Sequence, residues 1–190
     1  MSTENIQNIE LTYLKVSEYD ELKQLMIKAY STMPDAYWKE SHVNALLKRF
    51  AEGQVVVKAN GKIVGCALSI IVKSDKFEDH HTYKEITGNY SFNTHTNAGD
   101  TLYGIDVFIH PDYRGLRLGR RLYDYRKELC EKLNLKSILF GGRILNYHQY
   151  SNELSPKQYI EKVKTHEIHD PVLNFQLSND FHPMRILKGY

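Results

Sequence analysis

The run Val107-Phe108-Ile109-His110-Pro111-Asp112-Tyr113-Arg114-Gly115-Leu116-Arg117-Leu118-Gly119 decides how the rest of the chain is read. Upstream of it, Leu102–Ile109 reads as a strand that stops at His110-Pro111, because proline lacks a ladder donor and restricts the residue before it. Downstream, Leu118, Leu122, Tyr125, Leu129 and Leu133 recur every three or four residues, the spacing of an amphipathic helix. Between strand and helix lies a turn of arginine and glycine. A helix N-terminus carries unpaired N–H groups and about half a positive charge. Gly115 and Gly119 remove side chains where an anion would have to approach. Arg114, Arg117, Arg120 and Arg121 add guanidinium groups at the same place. Diphosphate and 3′-phosphate groups are the natural partners of such a turn. The competing reading is an ordinary strand-to-helix corner with a solvated basic start. A Walker-type loop is disfavoured because no Gly-Lys-Ser/Thr occurs there, and a dinucleotide fingerprint because Gly-x-Gly-x-x-Gly is absent.

Outward from this segment the punctuation is regular. Ile9–Leu14 reads as a first strand. Ser17 is expected to cap a helix carrying Tyr19, Leu22, Leu25, Met26 and Ala29 on one side. Tyr37–Phe50 reads as a second helix, with Gly53 just past its end. Gln54–Ala59 and Lys62–Val72 flank Asn60-Gly61, a pair that favours a two-residue type I′ turn, so they form a hairpin. Lys73–Asp100 is a long polar stretch with a short helix near Tyr83–Ile86, and loops of this length are usually functional or mobile. Ser137–Phe140 is a short strand. Pro156–Lys164 is a helix opened by Ser155, and Asp170-Pro171 opens another over Val172–Leu177. Met184–Leu187 is read as a final strand.

The chain has 190 residues, 42% hydrophobic and 25% charged, which suits one domain with a real core, here taken as residues 1–190. The net charge of +2 is spread along the chain and suggests neither nucleic acid nor membrane as a partner. Most of the fourteen tyrosines are explained by core and rim packing. Cys66 and Cys130 are expected to be free buried thiols. With no signal-peptide-like or membrane-spanning run, the expected location is cytoplasmic. His80, His81 and His95 lack a metal spacing, so no metal is expected.

The quoted segment resembles the central motif of the GNAT superfamily, the acetyl-CoA-dependent N-acyltransferases: a strand, then Arg/Gln-x-x-Gly-x-Gly/Ala, then a helix. Arg117 stands where the family often has its middle glycine. The element order resembles the family over nearly the whole chain. Asp100–Leu133, the Gly-Gly-Arg at 141–143 and Asp170–Leu177 resemble more narrowly the N-terminal GNAT domain of bacterial proteins fused to a carbon–nitrogen hydrolase. The resemblance implies an α/β (α+β) GNAT fold. Its mixed, mostly antiparallel sheet would be splayed between the fourth and fifth strands, with helices on both faces. It also implies acetyl-CoA as cosubstrate, with Val107, Phe108 and Ile109 pairing with the pantetheine arm. Arg114, Gly115, Leu116, Arg117, Leu118, Gly119 and Arg120 would bind the pyrophosphate. The chain stops before the usual seventh strand, so it reads as an excised or shortened piece. Its exposed C-terminal strand edge would be a surface for a homodimer.

Acetyl transfer to an amine, of a small molecule or a protein, needs a base, a polarised carbonyl and a proton for the leaving thiolate. The family's usual tyrosine acid is absent, since Gln176 stands in its place. Tyr147 or Tyr150 could replace it, or could serve packing. Asp106 is the candidate base, or else a hydrogen-bond partner of a neighbouring loop. His110 reads as a turn residue. Arg143 and Asn146 could bind an acidic or polar substrate, or cap the strand. The alternative to an enzyme is an acyl-CoA-binding or regulatory module without transfer activity.

Overall fold

Asn60 and Gly61 both adopt positive φ, 49° and 80°, as the type I′ turn requires. They join β2 (Gln54–Ala59) to β3 (Lys62–Val72). The computed structural model describes residues 6, 8–33, 35–77 and 80–190. It divides into two compact units, one of residues 1–79 and 83–140, the other of residues 80–82 and 141–190. In the first unit β1 (Ile9–Tyr13), β2, β3, β4 (Thr101–Ile109) and β5 (Ser137–Phe140) form a five-stranded sheet in that order. All pairings are antiparallel except that of β4 with β5.

A β-bulge in β4 decides which side chains face which way. Leu68 pairs with Asp106, yet Ser69 pairs with Gly104, so Ile105 is an extra residue on β4. Before the bulge Leu102 packs with Leu129 of α4 (Leu118–Lys132). After it, Val107 and Ile109 pack with Leu118 and Leu122 of the same helix. The bulge thus transfers the α4 face from even to odd residues. It leaves Asp106 and Phe108 on the opposite face, where α1 (Tyr19–Ala29) and α2 (Glu40–Phe50) pack. Leu22, Leu25, Met26, Val43 and Leu46 bury that side. The expected helices on both faces are therefore present.

β5 pairs with β4 only from Thr101 to Gly104. Beyond that point no strand among the described residues pairs with β4 on its β5 side, so the two strands part where the splay is expected.

Three local expectations are corrected. Helix α2 begins at Glu40, not Tyr37, because the Trp38 N–H donates to the Met26 sulfur (3.4 Å) and the extended Lys39 precedes the first turn. Ser17 provides no side-chain cap; it lies inside a 3-10 turn, Val16–Glu18. There Glu18 accepts from the Lys15 N–H (2.8 Å) and pairs with Lys58 (2.6 Å). Finally, Met184–Leu187 is not a strand. These residues carry no regular structure, and Met184 is 74% exposed. The C-terminal strand edge expected to carry a homodimer is therefore not formed.

The long stretch Lys73–Asp100 is tied to the sheet. The Asp100 carboxylate accepts from the Ser74 N–H (2.9 Å) and hydroxyl (3.0 Å). His95 Nδ1 accepts from the Ile71 N–H (3.1 Å), and its ring stacks on Phe50. A short helix, α3 (Tyr83–Ile86), forms where it is expected. Cys66 and Cys130 are free and buried.

In the second unit α5 (Pro156–Lys164) opens with a capping box between Ser155 and Gln158. Asp170 opens α6 (Pro171–Leu177) by accepting from the N–H groups of Val172 and Leu173. Its other oxygen accepts from the Tyr159 hydroxyl (2.8 Å) and the Asn146 N–H (3.0 Å). Tyr159, Val163, Ile168 and Leu173 form the core of this unit. Among the described residues no helix is long and apolar enough to cross a membrane.

Candidate active site

The turn after β4 presents a row of main-chain donors. His110 caps the 3-10 turn Pro111–Tyr113 by accepting from the Asp112 N–H (3.2 Å), and burial holds its pKa down. Gly115 (φ 83°) and Arg117 (φ 58°) then take left-handed conformations, and α4 starts at Leu118. The first hydrogen bond of the helix start runs from the Arg121 N–H to the Arg117 carbonyl (3.2 Å). Among the described residues, the N–H groups of Gly115, Leu116, Arg117, Leu118, Gly119 and Arg120 donate to nothing. Gly115, Leu116, Arg117 and Arg120 are also exposed. Arg114 binds the Ala29 carbonyl (3.4 Å), which anchors the turn to the end of α1. Free outward amides at a helix N-terminus are the donor set that a diphosphate needs.

Upstream, at the bulge, Asp106 draws together three elements. The Tyr30 hydroxyl donates to Oδ1 at 2.6 Å, and Trp38 Nε1 donates to Oδ2 at 2.9 Å. The Val107 N–H also donates to Oδ1, at 2.9 Å. Burial pushes the Asp106 pKa above the ordinary carboxylate value, and these donors oppose the rise without cancelling it. The side chain keeps partial exposure, and Oδ2 retains a lone pair for another donor. Both readings of Asp106, base and hydrogen-bond acceptor, are thus compatible with its surroundings.

The His110 N–H donates to the Val64 carbonyl on β3. Strand alternation then points the Val107 and Ile109 main chain to the open edge of β4. An aromatic wall borders Asp106. Tyr30 packs on Phe108 (5.7 Å between ring centroids), and Trp38 packs on Tyr83 (6.1 Å), Tyr90 (5.9 Å) and Phe92 (5.6 Å). The Tyr83 hydroxyl donates to the carbonyl of the bulge residue Ile105 (3.1 Å). Sequence reasoning did not find Tyr30, Trp38 or Tyr83. The first two lie 76 and 68 residues from Asp106, and no local spacing connects them.

The remaining sequence candidates lie in the second unit. The Tyr147 hydroxyl donates to the Leu154 carbonyl (2.9 Å), and its ring packs edge-on against Tyr159. Asn146 braces the start of α6 through Asp170 and donates from Nδ2 to the His169 carbonyl (3.2 Å). Arg143 is exposed beside Gly142. A Cβ on Gly142 would lie 2.6 Å from Gln176 Oε1, so glycine there makes room for that amide.

A sheet whose fourth and fifth strands part, followed by an amide-lined turn into a helix, defines the class: the chain belongs to the GNAT acetyltransferase family. The sequence model of the Acetyltransferase (GNAT) family matches residues 19–149. The chain is 44% identical over 153 residues to the Bacillus subtilis protein "Probable hydrolase YhcX"; the match covers 80% of this chain and 30% of that protein. It is 35% identical over 153 residues to "Uncharacterized N-acetyltransferase YkwB" of the same organism, covering 80% and 68% of the two chains. The chain thus spans less than a third of the first relative, in line with the resemblance to GNAT domains fused to hydrolases. Among solved structures it resembles the loading GNATL domain of CurA from Lyngbya majuscula. That match has a TM-score of 0.84 and 20% identity, covering 97% of this chain and 89% of that one. It also resembles the GphF GNAT-like decarboxylase in complex with isobutyryl-CoA, with a TM-score of 0.69 and 17% identity, covering 89% and 84%. At these identities the likeness concerns the fold.

Proposed function

We propose that this chain moves an acetyl group from acetyl-CoA to an amine, in a cytoplasmic setting. The observation that carries the reading is the run of free N–H groups from Gly115 to Arg120, directly after a strand whose outer edge is open. In this reading those amides and the surrounding guanidinium groups hold the diphosphate. The main chain of Val107, Phe108 and Ile109 aligns the pantetheine arm. That a protein of the same fold was solved with isobutyryl-CoA supports a ligand of this chemistry.

Asp106 takes a proton from the attacking amine through the free lone pair on Oδ2. Its raised pKa makes it a stronger base than a solvated aspartate. The amine nitrogen bonds to the thioester carbon, the C–S bond breaks, and the thiolate takes up a proton. The Val107 N–H polarises the carbonyl only after Asp106 Oδ1 has released it. Tyr147 is the proposed proton donor and must first release the Leu154 carbonyl. Arg143 and Asn146 are proposed to contact the acceptor.

A second reading, an acyl-CoA-binding module without transfer, is favoured by Gln176, whose amide is a poor proton donor for catalysis. Calorimetry with acetyl-CoA, paired with thiol release across an amine panel, separates the two. Binding with turnover supports the transferase, and binding without turnover supports the module. Absence of binding by folded protein refutes both.

A further inference from the structure

The buried guanidinium of Arg126 sits beneath the bulge in β4. Arg126 lies on α4 and is 2% exposed, an unusual place for a permanent charge. Nε donates to Ser69 Oγ (3.1 Å), and Nη2 donates to the carbonyls of Leu68 (2.9 Å) and Asp106 (2.6 Å). Leu68 and Ser69 are the β3 residues between which the register shifts, and Asp106 is the β4 residue just after the extra one. A bulge disrupts the ladder locally, and the planar fork of arginine supplies several donors in one fixed plane. The space is reserved for it. A Cβ on Gly104 would lie 2.9 Å from Nη1 and 3.1 Å from Cζ.

We propose that Arg126 is a positioning residue for the acyl-CoA site: its guanidinium locks the β4 bulge and thereby fixes which face carries Asp106 and how β4 presents its open edge. The proposal rests on the transferase reading only for what the site is used for. The reason is one of register. Losing the extra residue would move every β4 side chain beyond it to the other face. Asp106 would leave Tyr30 and Trp38 for the α4 side, and Val107 and Ile109 would leave the packing around Leu118 and Leu122. The Tyr83 hydroxyl holds the third bulge carbonyl, that of Ile105. A lysine keeps the charge and cannot span three acceptors set around a plane. A methionine fills the volume and removes the guanidinium from all three.

The test compares the whole chain with Arg126→Met, Arg126→Lys and Gly104→Ala. Melting curves establish folding. The Asp106 carboxyl is titrated by carbon NMR on aspartate-labelled protein, assigned with Asp106→Asn, and coenzyme A itself is the calorimetric probe. The ionisable groups facing Asp106 are Tyr30 from the end of α1, Cys66 on β3 and Arg126 on α4. Removing Arg126, the cation among them, should move the Asp106 midpoint up in Arg126→Met. Coenzyme A affinity should fall at least about tenfold, a loss that a broken strand edge produces and a charge change alone does not. Arg126→Lys should restore most of the midpoint and little of the affinity.

An Arg126→Met protein that melts earlier but titrates Asp106 and binds coenzyme A as the wild type does overturns the proposal, for then Arg126 is structural support alone. If the wild type does not bind coenzyme A, the transferase reading fails and the Asp106 titration in Gly104→Ala, which keeps the charge and displaces the guanidinium, decides the role of Arg126. If Arg126→Met does not fold, Gly104→Ala decides, since its added carbon displaces the guanidinium. A raised Asp106 midpoint in Gly104→Ala supports the proposal, and an unchanged one overturns it.

Discussion

Replacing Arg117 by glycine should make the protein more stable and its hold on acetyl-CoA weaker. Arg117 sits at φ 58°, the left-handed region, immediately before α4. That conformation costs an ordinary L-residue about 1–2 kcal/mol. Glycine adopts it freely but gives back about 0.5–1 kcal/mol through the greater freedom of its unfolded chain. Among the described residues the exposed Arg117 side chain makes no hydrogen bond or ion pair that the substitution would remove. The net gain is about 0.5–1 kcal/mol, a rise in Tm of about 1–4 °C for a chain of this size. Binding should move the other way. An exposed guanidinium near a diphosphate contributes about 0.3–1 kcal/mol after solvent screening, so Kd should rise about two- to fivefold. That difference should shrink as salt is added. Thermal melting and calorimetry at two ionic strengths measure both effects. A variant that melts below the wild type refutes the backbone argument. One that binds equally well at low salt removes Arg117 from the phosphate site.

Gly119→Glu should place a carboxylate beside the free amides at the start of α4 and reduce acetyl-CoA binding below detection; unchanged affinity would put the diphosphate elsewhere. Because glutamate is a better helix former than glycine, this variant should keep its fold, which circular dichroism checks. Hydrogen bonds from the Ser74 backbone, then its hydroxyl and Lys136, hold the Asp100 pKa down to about 2. A depressed carboxylate stabilises the fold fully above its unfolded value of about 4, and that contribution is lost as pH falls toward 2. In urea titrations across this range Asp100→Asn should therefore lose less stability on acidification than the wild type, and equal slopes would contradict the assignment. Tyr159→Phe should cost about 1.5–3 kcal/mol, the worth of a buried hydrogen bond to a charged acceptor. A loss under about 0.5 kcal/mol would mean that the three main-chain donors to Asp170 suffice without the phenol.

Where the physics is local, the sequence was readable. Asn60-Gly61, the strand–turn–helix around Arg114–Gly119, Ser155-Pro156 and Asp170-Pro171 each carry their own turn or cap chemistry, and all form as expected. Even the departure from the family motif at Arg117 falls on a residue with positive φ, where glycine is the usual solution. What failed to show depends on distant partners. The bulge at Ile105 exists only in the pairing of β4 with β3, and helical spacing in α4 marks Leu118, Leu122 and Leu129 but not the role of Arg126 among them. Tyr30 and Trp38 reach Asp106 through tertiary packing, and Trp38 delays the start of α2 for the same reason. Met184–Leu187 reads as a strand on three apolar residues around Arg185, yet without a neighbouring strand among the described residues it has no ladder to join.

The shielding of the two thiols has a practical consequence. Cys66 lies at the middle of the sheet with no exposure, Cys130 is 8% exposed near the end of α4, and burial raises the pKa of both. Thiolate is the reactive species, so an alkylating reagent modifies either sulfur only during excursions that admit solvent. Labelling rates at the two positions, resolved by mass spectrometry, therefore act as native clocks. Cys66 times separation of the central strands, and Cys130 times fraying of the helix from the sheet, with no foreign reporter introduced.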